Sequence, residues 1–300
     1  MSINLTAENY YTPAINQAFM SVSQFKEFAG TPYKTPCEKC AFDNMMGWIS
    51  VPPSTALLIG SYVDSYFEGT LDQFKQDHPE IFKKTGDKGL KAEYVNAEKI
   101  IARIERDPLF TEYMSGQKQV IMSGDLFGAT WKIKMDSYHD DKIVDLKIMR
   151  DANPIWSDTA HRKIDFIRYY GYDIQGAIYQ KIVELNTGKK LPFYIAYATK
   201  EAECDIDIIE VTQPYLDEAL KFVEDNIGHV LDIKTGRVAP APCGYCWHCR
   251  REKVLSGPRS IEDLIPPYDG HEDDGNPDVD TSKIPSLSFD DLPDTPNPFN

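Results

Sequence analysis

Two aspartates and a lysine lie at a spacing that suits metal-assisted hydrolysis. Asp136 ends a segment of alternating apolar residues, and Asp145 and Lys147 lie two apart in the next such segment. Because residues i and i+2 of a strand point to the same face, these two project together. Paired carboxylates are hard ligands for Mg²⁺ or Mn²⁺, and an adjacent lysine can orient water or neutralise charge on a phosphate. The pattern predicts phosphodiester hydrolysis, although an Asp and a Lys at this spacing are also common on a solvated strand.

Two further pairs of polar side chains lie at helical spacing, one before and one after these strands. Asp64 and Glu68 are four residues apart, so both fall on one face of a predicted helix. An acid pair at that spacing is mildly destabilising unless a positive charge approaches it. Gln175 and Tyr179 share a helical face in the same way. Their neutral donors could hold a phosphate or orient a lysine, although a tyrosine at this spacing also packs in cores.

Five of the six cysteines fall into two clusters. Cys243, Cys246 and Cys249 form a C-x-x-C-x-x-C run, and Cys37 and Cys40 lie far upstream. Three thiols at this spacing can wrap a metal ion or cluster, with a fourth ligand from elsewhere in the chain. We therefore predict a metal site. Zinc and [4Fe–4S] both accept four thiolates, and the spacing alone leaves both open.

The elements that must position these residues follow from the periodicity of the apolar side chains. Helical spacing predicts helices over about 55–67, 91–106, 164–185 and 215–227. Alternation predicts strands over 117–122, 129–135, 142–148, 192–198 and 205–211, with turn signals at 124–125 and 139–141. This order predicts an α/β (α+β) fold in which helices flank a central mixed sheet. If the strands on either side of the 139–141 turn pair, Asp136 lies beside Asp145.

The acidic charge of the chain is concentrated at one end. The formal net charge is −15, but residues 261–300 hold eleven acids against the single base Lys283, so the remainder carries only −5. The same segment holds seven of the 20 prolines and few apolar residues, which predicts disorder. We therefore expect a folded domain over 1–258 and a disordered acidic tail over 259–300.

Length and composition exclude several classes of protein. With 300 residues and 42% hydrophobic residues, the chain can bury a sizeable core, which excludes fibrous, wholly disordered and disulfide-stapled proteins. No basic region followed by an apolar stretch begins the chain, and no apolar run approaches the roughly 18 residues of a membrane span. We therefore expect a cytoplasmic protein without a membrane partner, in which clustered cysteines bind metal rather than form disulfides.

Together these motifs resemble those of the PD-(D/E)xK nucleases. Asp136 followed by Asp145-x-Lys147 resembles the motif that names the superfamily, and the helix of Asp64 and Glu68 resembles its upstream acidic helix. The resemblance implies a restriction-endonuclease-like core around the central mixed sheet.

The later motif narrows the resemblance to one branch. Gln175-x-x-x-Tyr179 resembles the Q-x-x-x-Y motif of the RecB-like and lambda-exonuclease-like nucleases. The stretch from Ser21 to Lys253 resembles the phage and prophage exonucleases related to RecE. The implied metal ligands are Asp64, Asp136, Asp145 and the Leu146 carbonyl, with Glu68 as a possible addition. The implied catalytic residues are Asp136, Asp145, Lys147, Gln175 and Tyr179, with Lys147 as the catalytic lysine.

The cysteines resemble those of AddB and the CRISPR-associated adaptation nucleases. In those proteins one cysteine before the nuclease core and three after it hold a [4Fe–4S] cluster. The comparison assigns Cys37, Cys243, Cys246 and Cys249 to such a cluster, with Cys40 as an alternative to Cys37. Zn²⁺ remains the alternative to iron and sulfur.

The resemblance also implies a function. We expect a Mg²⁺-dependent (or Mn²⁺-dependent) exodeoxyribonuclease in a bacterial host cell that binds DNA without sequence preference and resects duplex DNA 5′ to 3′. A single-strand annealing protein and a homo-oligomeric ring would be its partners in phage or prophage recombination. The alternatives are a non-catalytic DNA-binding or scaffold protein with a zinc site, an endonuclease, and a CRISPR-adaptation-type nuclease. Basic residues expected near the site are Lys132, Lys134, Lys147, Arg150, Arg162, Lys163 and Arg168.

Overall fold

The computed structural model describes residues 4–49, 53–84, 86 and 88–262. The chain divides into two units, Met1–Lys253 and Val254–Asn300, and the fold described below is that of the first. Residues 263–300, which include nearly all of the predicted acidic tail, lie outside the described residues.

Eleven α-helices occur in the described residues. In chain order they are α1 Pro13–Ala18, α2 Val22–Ala29, α3 Glu38–Met45, α4 Thr55–Glu68, α5 Leu71–Asp77, α6 Ala92–Glu105, α7 Pro108–Tyr113, α8 Phe166–Tyr169, α9 Tyr172–Thr187, α10 Gln213–Lys234 and α11 Trp247–Arg251. A 3₁₀ turn, Pro79–Ile81, follows α5.

The same residues contain eight strands. They are β1 Val120–Leu126, β2 Ala129–Met135, β3 Ser137–Tyr138, β4 Ile143–Met149, β5 Ile155–Ser157, β6 Arg162–Ile164, β7 Phe193–Thr199 and β8 Ile206–Val211.

The central sheet has four strands in the order β3-β4-β7-β8. Strand β4 runs parallel to β7, and the two outer pairs are antiparallel, so the sheet is mixed. The parallel pair needs a crossover connection, which α8 and α9 supply between the two strands. Strands β1 and β2 form a separate hairpin, and β5 pairs with β6.

Two apolar cores lie on opposite faces of this sheet. On one face Ile143 and Phe193 pack with residues of α2, α9, α10 and β2. On the other face Val144 and Ala196 pack with residues of α4, α6 and α7. The α/β fold with helices on both faces of a mixed sheet is therefore confirmed.

Most predicted elements are present with small changes of boundary. The predicted helices at 55–67 and 91–106 are α4 and α6, and the predicted strands at 129–135 and 142–148 are β2 and β4. Ser54 caps α4 by accepting a hydrogen bond from the Leu57 N–H at 3.2 Å. The last predicted helix, 215–227, is longer than expected: α10 continues to Lys234 and buries Val230 and Ile233.

The prediction of one long helix over 164–185 is wrong. Strand β6 extends to Ile164, and two helices follow, with a break at Gly171. Gly171 has φ +65, and an added Cβ would lie 2.8 Å from the Lys26 side chain, so glycine is required there. Asp165 starts α8 by accepting from the Arg168 N–H at 2.9 Å. Apolar periodicity continued through the break and therefore concealed it.

The predicted turn at 124–125 is also wrong. Strand β1 runs through these residues, and the chain turns at Phe127 and Gly128, whose φ values are +53 and +77. Two central residues with positive φ match the right-handed twist of a tight hairpin. Phe127 is a poor turn signal in sequence, which explains the shift.

Several short elements were not predicted, chiefly the helices α1, α2 and α3 before the nuclease motifs. None of the described helices has the length and hydropathy needed to cross a membrane.

Candidate active site

Asp145 and Lys147 occupy adjacent same-face positions of β4. The Lys147 Nζ forms an ion pair with Asp145 Oδ2. Val144 and Leu146 point the other way into the core shared with α4 and α6. Asp145 is only 2% exposed, so its charge depends on the groups around it.

Asp136 lies in the link between β2 and β3. Because Ser137 pairs with Val144, the antiparallel register puts Asp136 opposite Asp145. Asp136 Oδ2 accepts a hydrogen bond from the Leu146 N–H at 3.0 Å. Burial raises the pKa of Asp136 to about 7, and the negative charge of Asp145 adds to this effect.

Asp64 and Glu68 approach the same place from α4, the helix on the other face of the sheet. Burial raises the pKa of Asp64 well above its usual range, and the charge of Asp136 contributes. Glu68 Oε1 accepts a hydrogen bond from Gln119 Nε2 at 2.5 Å. The carboxylates of Asp64 and Glu68 therefore line the same cavity as those of Asp136 and Asp145, where a bound cation would relieve their repulsion.

Gln175 and Tyr179 enter from α9, one turn apart. Gln175 Nε2 donates to Asp145 Oδ1 at 2.6 Å, and the Tyr179 hydroxyl donates to the Lys134 carbonyl at 3.0 Å. Gly176 lets the helix come close to β7, because an added Cβ would collide with the Phe193 ring and lie 2.9 Å from Leu216. Gln175 therefore holds the Asp145 carboxylate in place, and Tyr179 is hydrogen-bonded to strand β2.

The cavity that these groups line has a volume of about 890 Å³. Lys147 is the cation at its carboxylate end. Burial lowers the pKa of the Lys147 ammonium, but the negative charge of Asp145 outweighs burial, so the pKa lies above the usual range. The ion pair with Asp145 therefore favours the protonated form of Lys147 beside the aspartates.

The donor set of this cavity fits a hard divalent cation. Asp145 Oδ2 is buried and accepts no hydrogen bond of standard geometry from the described residues, so its lone pairs are available beside the Lys147 contact. The oxygen atoms of Asp64, Asp136 and Asp145 are not all within 4.8 Å of one another, unlike the ligand atoms of two other groups in the described residues. Mg²⁺ commonly binds one or two carboxylates and completes its coordination with water. Carboxylates spaced more widely than in those groups therefore suit Mg²⁺.

Lys26 of α2 is a residue of this cavity that the sequence did not indicate. Its Nζ donates to the Tyr170 carbonyl at 2.9 Å and lies 5.4 Å from the centre of the Tyr172 ring. Lys147 Nζ lies 4.9 Å from the centre of the same ring. Burial, together with the positive charge of Lys147, lowers the pKa of the Lys26 ammonium to about 8. No motif marks Lys26, because α2 precedes the sheet and reaches the site only through tertiary packing.

The described basic residues near the site differ in their accessibility. Lys132 is 2% exposed, and its Nζ donates to the Tyr10 carbonyl and, at 2.7 Å, to Asn16 Oδ1. Lys132 therefore anchors the N-terminal segment and does not offer its charge to a ligand. Lys134, two residues further along β2, is half-buried and lines the cavity.

Four cysteines converge at a second site. The Sγ atoms of Cys37, Cys243, Cys246 and Cys249 all lie within 4.8 Å of one another. Cys37 Sγ is 3.6 Å and Cys243 Sγ is 4.0 Å from Cys249 Sγ. Cys40 is not in this group, although it lines the same neighbouring cavity of about 500 Å³ as Cys37 and Cys246.

Backbone N–H groups point at two of the sulfurs. The Cys246 N–H donates to Cys243 Sγ at 3.3 Å, and the Cys249 N–H donates to Cys246 Sγ at 3.4 Å. Burial raises the pKa of the Cys243 thiol, but hydrogen bonds from the backbone N–H groups of Cys246 and Tyr245 and from neighbouring thiols outweigh burial, and the pKa is lowered to about 6. The turn therefore favours the thiolate form that binds metal.

A buried hydrogen-bonded pair lies directly beside the four thiols. His248, between two of the cysteines in sequence, is fully buried, and its Nε2 is 2.5 Å from Asp43 Oδ2 on α3. Lys39 Nζ bridges Asp43 at 2.7 Å and Glu252 at 3.2 Å. The sequence did not predict this contact, because Asp43 and His248 are separated by 205 positions.

Comparisons with known proteins agree with this geometry. Residues 21–252 match the family described as "PDDEXK-like domain of unknown function (DUF3799)". The chain is also similar to a crystal structure from Eubacterium rectale named "Putative exonuclease", with 55% sequence identity and a TM-score of 0.85 over 89% of this chain and 100% of that chain. A comparison with curated proteins gives no match. The chain therefore belongs to the PDDEXK-like family DUF3799, and the predicted PD-(D/E)xK nuclease fold is confirmed.

Proposed function

We propose that this nuclease is a Mg²⁺-dependent or Mn²⁺-dependent DNA exonuclease. The observation that carries the proposal is the convergence of Asp136, Asp145 and Lys147, held by Gln175, at one end of a cavity of about 890 Å³. The name of the similar structure from Eubacterium rectale supports exonuclease rather than endonuclease activity.

Asp136 and Asp145 would hold the metal, together with the Leu146 carbonyl and Asp64. All four residues line the cavity, and their oxygen atoms are ligands that Mg²⁺ and Mn²⁺ prefer. When bound, such an ion polarises the phosphate and lowers the pKa of water. The hydrogen bond from Leu146 N–H and that from Gln175 each fix one carboxylate oxygen. The remaining oxygens are Asp136 Oδ1 and Asp145 Oδ2, and the second of these also contacts Lys147 Nζ.

Lys147 would position the attacking water and neutralise charge that develops on the phosphate. Its raised pKa makes it a poor general base, because it remains protonated at neutral pH. A fixed ammonium beside the reacting phosphate instead stabilises the transition state electrostatically. Gln175 and Tyr179 act as positioning residues, since each contacts a group of the site rather than open solvent.

The finer features come from the resemblance to RecE-like and lambda-type exonucleases. We propose 5′-to-3′ resection of duplex DNA without sequence preference, in phage or prophage recombination. A single-strand annealing partner and a ring-like oligomer belong to the same proposal.

A cleavage assay tests the activity. End-labelled linear DNA and circular DNA are incubated with Mg²⁺ and the wild type, Asp145→Ala or Lys147→Ala, with Lys221→Ala as a control because Lys221 is a solvent-exposed lysine of α10. We expect loss of linear DNA alone, abolished by the two site variants only. Cleavage of circular DNA would indicate an endonuclease, and no cleavage by the wild type would refute the proposal.

We further propose that the four thiols hold one Zn²⁺ ion, the alternative to the [4Fe–4S] cluster expected by comparison with AddB. A tetrahedral Zn²⁺ with Zn–S bonds of about 2.3 Å sets its sulfurs about 3.8 Å apart. The Sγ separations of 3.6 Å (Cys37 to Cys249) and 4.0 Å (Cys243 to Cys249) support that arrangement. An iron–sulfur cube would set the sulfurs wider, because each thiolate binds a different iron.

Metal analysis of anaerobically purified protein tests this assignment. We expect one zinc per chain in a colourless protein, with loss of zinc in Cys246→Ser. Stoichiometric iron and acid-labile sulfide with visible absorption would instead establish the [4Fe–4S] cluster.

A further inference from the structure

An N-terminal segment that lies outside the family match forms part of the active-site cavity. The match begins at residue 21, whereas Tyr10, Tyr11, Pro13 and Asn16 line the cavity together with the aspartates. The nuclease motifs therefore do not account for this wall.

Lys132 of β2 holds the segment in place. Lys132 is buried beneath Tyr10, whose ring centre lies 4.3 Å from Lys132 Nζ. The segment also pairs with β2 through hydrogen bonds from Met20 N–H to the Thr130 carbonyl and from Lys132 N–H to the Met20 carbonyl, each 2.8 Å. The segment is thus attached to the strand that leads to Asp136.

The side chain of Tyr11 differs from its neighbour in its exposure. Tyr10 is 6% exposed, whereas Tyr11 is 67% exposed although it lines the cavity. The edge of one ring contacts the face of the other, with centres 5.0 Å apart at 77°. Tyr10 therefore supports Tyr11, and a large aromatic surface is left open at the rim of the cavity.

Lys134 adds a positive charge at the same rim. Its Nζ lies 5.0 Å from the centre of the Tyr11 ring, and its carbonyl accepts the hydrogen bond of Tyr179. An exposed ring beside a lysine suits a single-stranded nucleic acid, because a base stacks on the ring while the ammonium approaches a phosphate. A duplex end offers such a strand only where its bases are unpaired.

We propose that Tyr11 and Lys134 form a nucleotide-binding subsite that stacks one unpaired base of the DNA strand and binds its phosphate at the mouth of the active-site cavity. The proposal rests on the proposed function, because DNA is its ligand. It adds a contact to the base, which the carboxylates and Lys147 do not supply.

Binding measured without cleavage tests the subsite. Fluorescence anisotropy with labelled oligothymidylate, and with an abasic strand of equal length, is measured in EDTA for the full chain. We expect Tyr11→Ala to weaken oligothymidylate binding about tenfold and abasic binding less than twofold, while Tyr11→Phe binds as the wild type does. Lys134→Ala should weaken binding of both strands. It should also reduce the slope of the logarithm of the binding constant against the logarithm of salt concentration by about one.

Tyr215→Ala is the matched control. Tyr215 is 45% exposed with Arg168 5.3 Å from its ring centre, but it does not line the cavity. We expect it to bind both strands as the wild type does. Wild-type affinity of Tyr11→Ala for oligothymidylate, or an equal loss for both strands in a folded variant, would overturn the subsite. A wild type that shows this Tyr11-dependent binding but cuts no DNA would overturn only the nuclease proposal.

Discussion

At the residue scale, the site concentrates acidic groups that the folded chain alone does not neutralise. Asp136 and Asp64 both have raised pKa values because burial disfavours their charged forms. Without metal, such groups reduce the stability of the fold. The same residues that would bind a cation are therefore a source of instability in its absence.

Asp136→Asn is expected to stabilise the metal-free protein in a pH-dependent way. The folded-state pKa of about 7 exceeds the usual value of 3.8, so the folded state binds more protons between these values. The free energy of unfolding of the wild type therefore falls as pH rises from about 4 to about 7. In EDTA at about pH 8 we expect the variant to be more stable by on the order of 2–4 kcal/mol, with little difference at about pH 4.

Denaturant titrations at the two pH values measure this difference. Asp217→Asn, an exposed acid of α10, is the control and should change stability little at either pH. A stability gain for Asp136→Asn that is the same at both pH values would show that the Asp136 charge is not its cause.

Gln175→Leu is expected to weaken metal binding without unfolding the protein. Gln175 fixes Asp145 Oδ1 at 2.6 Å, and loss of such a supporting group commonly costs about 10–100-fold in affinity or activity. Calorimetry with Mn²⁺ measures the affinity. Gln180→Leu is the control on the same helix, because buried Gln180 instead donates to the Leu191 carbonyl at 2.8 Å. Equal metal affinities in both variants and the wild type would contradict the role.

At the element scale, two glycines decide how α9 reaches the site. Gly171 ends the preceding turn with a positive φ, and Gly176 brings α9 against β7. Gln175 is adjacent to the second glycine, so the closeness of helix and strand sets the position of its amide.

Gly176→Ala is expected to destabilise the protein by about 1–3 kcal/mol and lower activity, because the new methyl collides with the Phe193 ring. Gly228→Ala in α10 is the control, and we expect it to raise stability where Gly176→Ala lowers it. No atom lies within 4 Å of its added Cβ, so alanine should stabilise the helix by about 0.5–1 kcal/mol. Thermal unfolding of both variants measures the effects, and equal shifts would contradict the close packing.

The sequence predicted those elements whose signal lies within a few neighbouring residues, and it missed features that depend on contacts between distant residues. Strand alternation located β2 and β4 and set Asp145 and Lys147 on one face, because that signal lies within a few residues. At the break, Gly171 has a positive φ, and an added Cβ would collide with Lys26 and Thr31, which are distant in sequence. Likewise Lys26 and Tyr11 carry no local motif, so only the tertiary structure could assign them to the cavity.

At the scale of the whole molecule, the thiol site joins the two ends of the nuclease domain. Cys37 and Cys249 are 212 residues apart, and the Asp43–His248 pair reinforces the same junction between α3 and α11. A bond across so long a loop strongly restricts the unfolded chain.

Removing the proposed metal is therefore expected to destabilise the nuclease domain by about 5 kcal/mol, comparable to the effect of a crosslink that closes a long loop. Cys246→Ser should show the same loss, whereas Cys204→Ser should not, because half-buried Cys204 lies apart from the four-sulfur group. Denaturant unfolding with and without a chelator measures the loss. A Cys246→Ser variant with wild-type stability and no metal would contradict a structural role.

The negative charge of the predicted acidic tail is expected to affect DNA binding by the whole molecule. Residues 261–300 carry a net charge of −10, and charge of this sign repels the phosphates of DNA. Deleting them should tighten DNA binding at low salt and have little effect at high salt, where the charges are screened. Equal affinity of the full and shortened chains at low salt would exclude this repulsion.

The junction of Cys37 with Cys249 also bears on when a newly made chain can become active. Asn44 and Met45 of α3 line the active-site cavity, and α3 is held at its other end by the thiol site. A nascent chain that ends just before Cys249 already contains every proposed catalytic residue but cannot close this junction. We therefore expect the cavity wall formed by α3 to be complete only after Cys249 has been made, which would limit cutting of DNA by nascent chains.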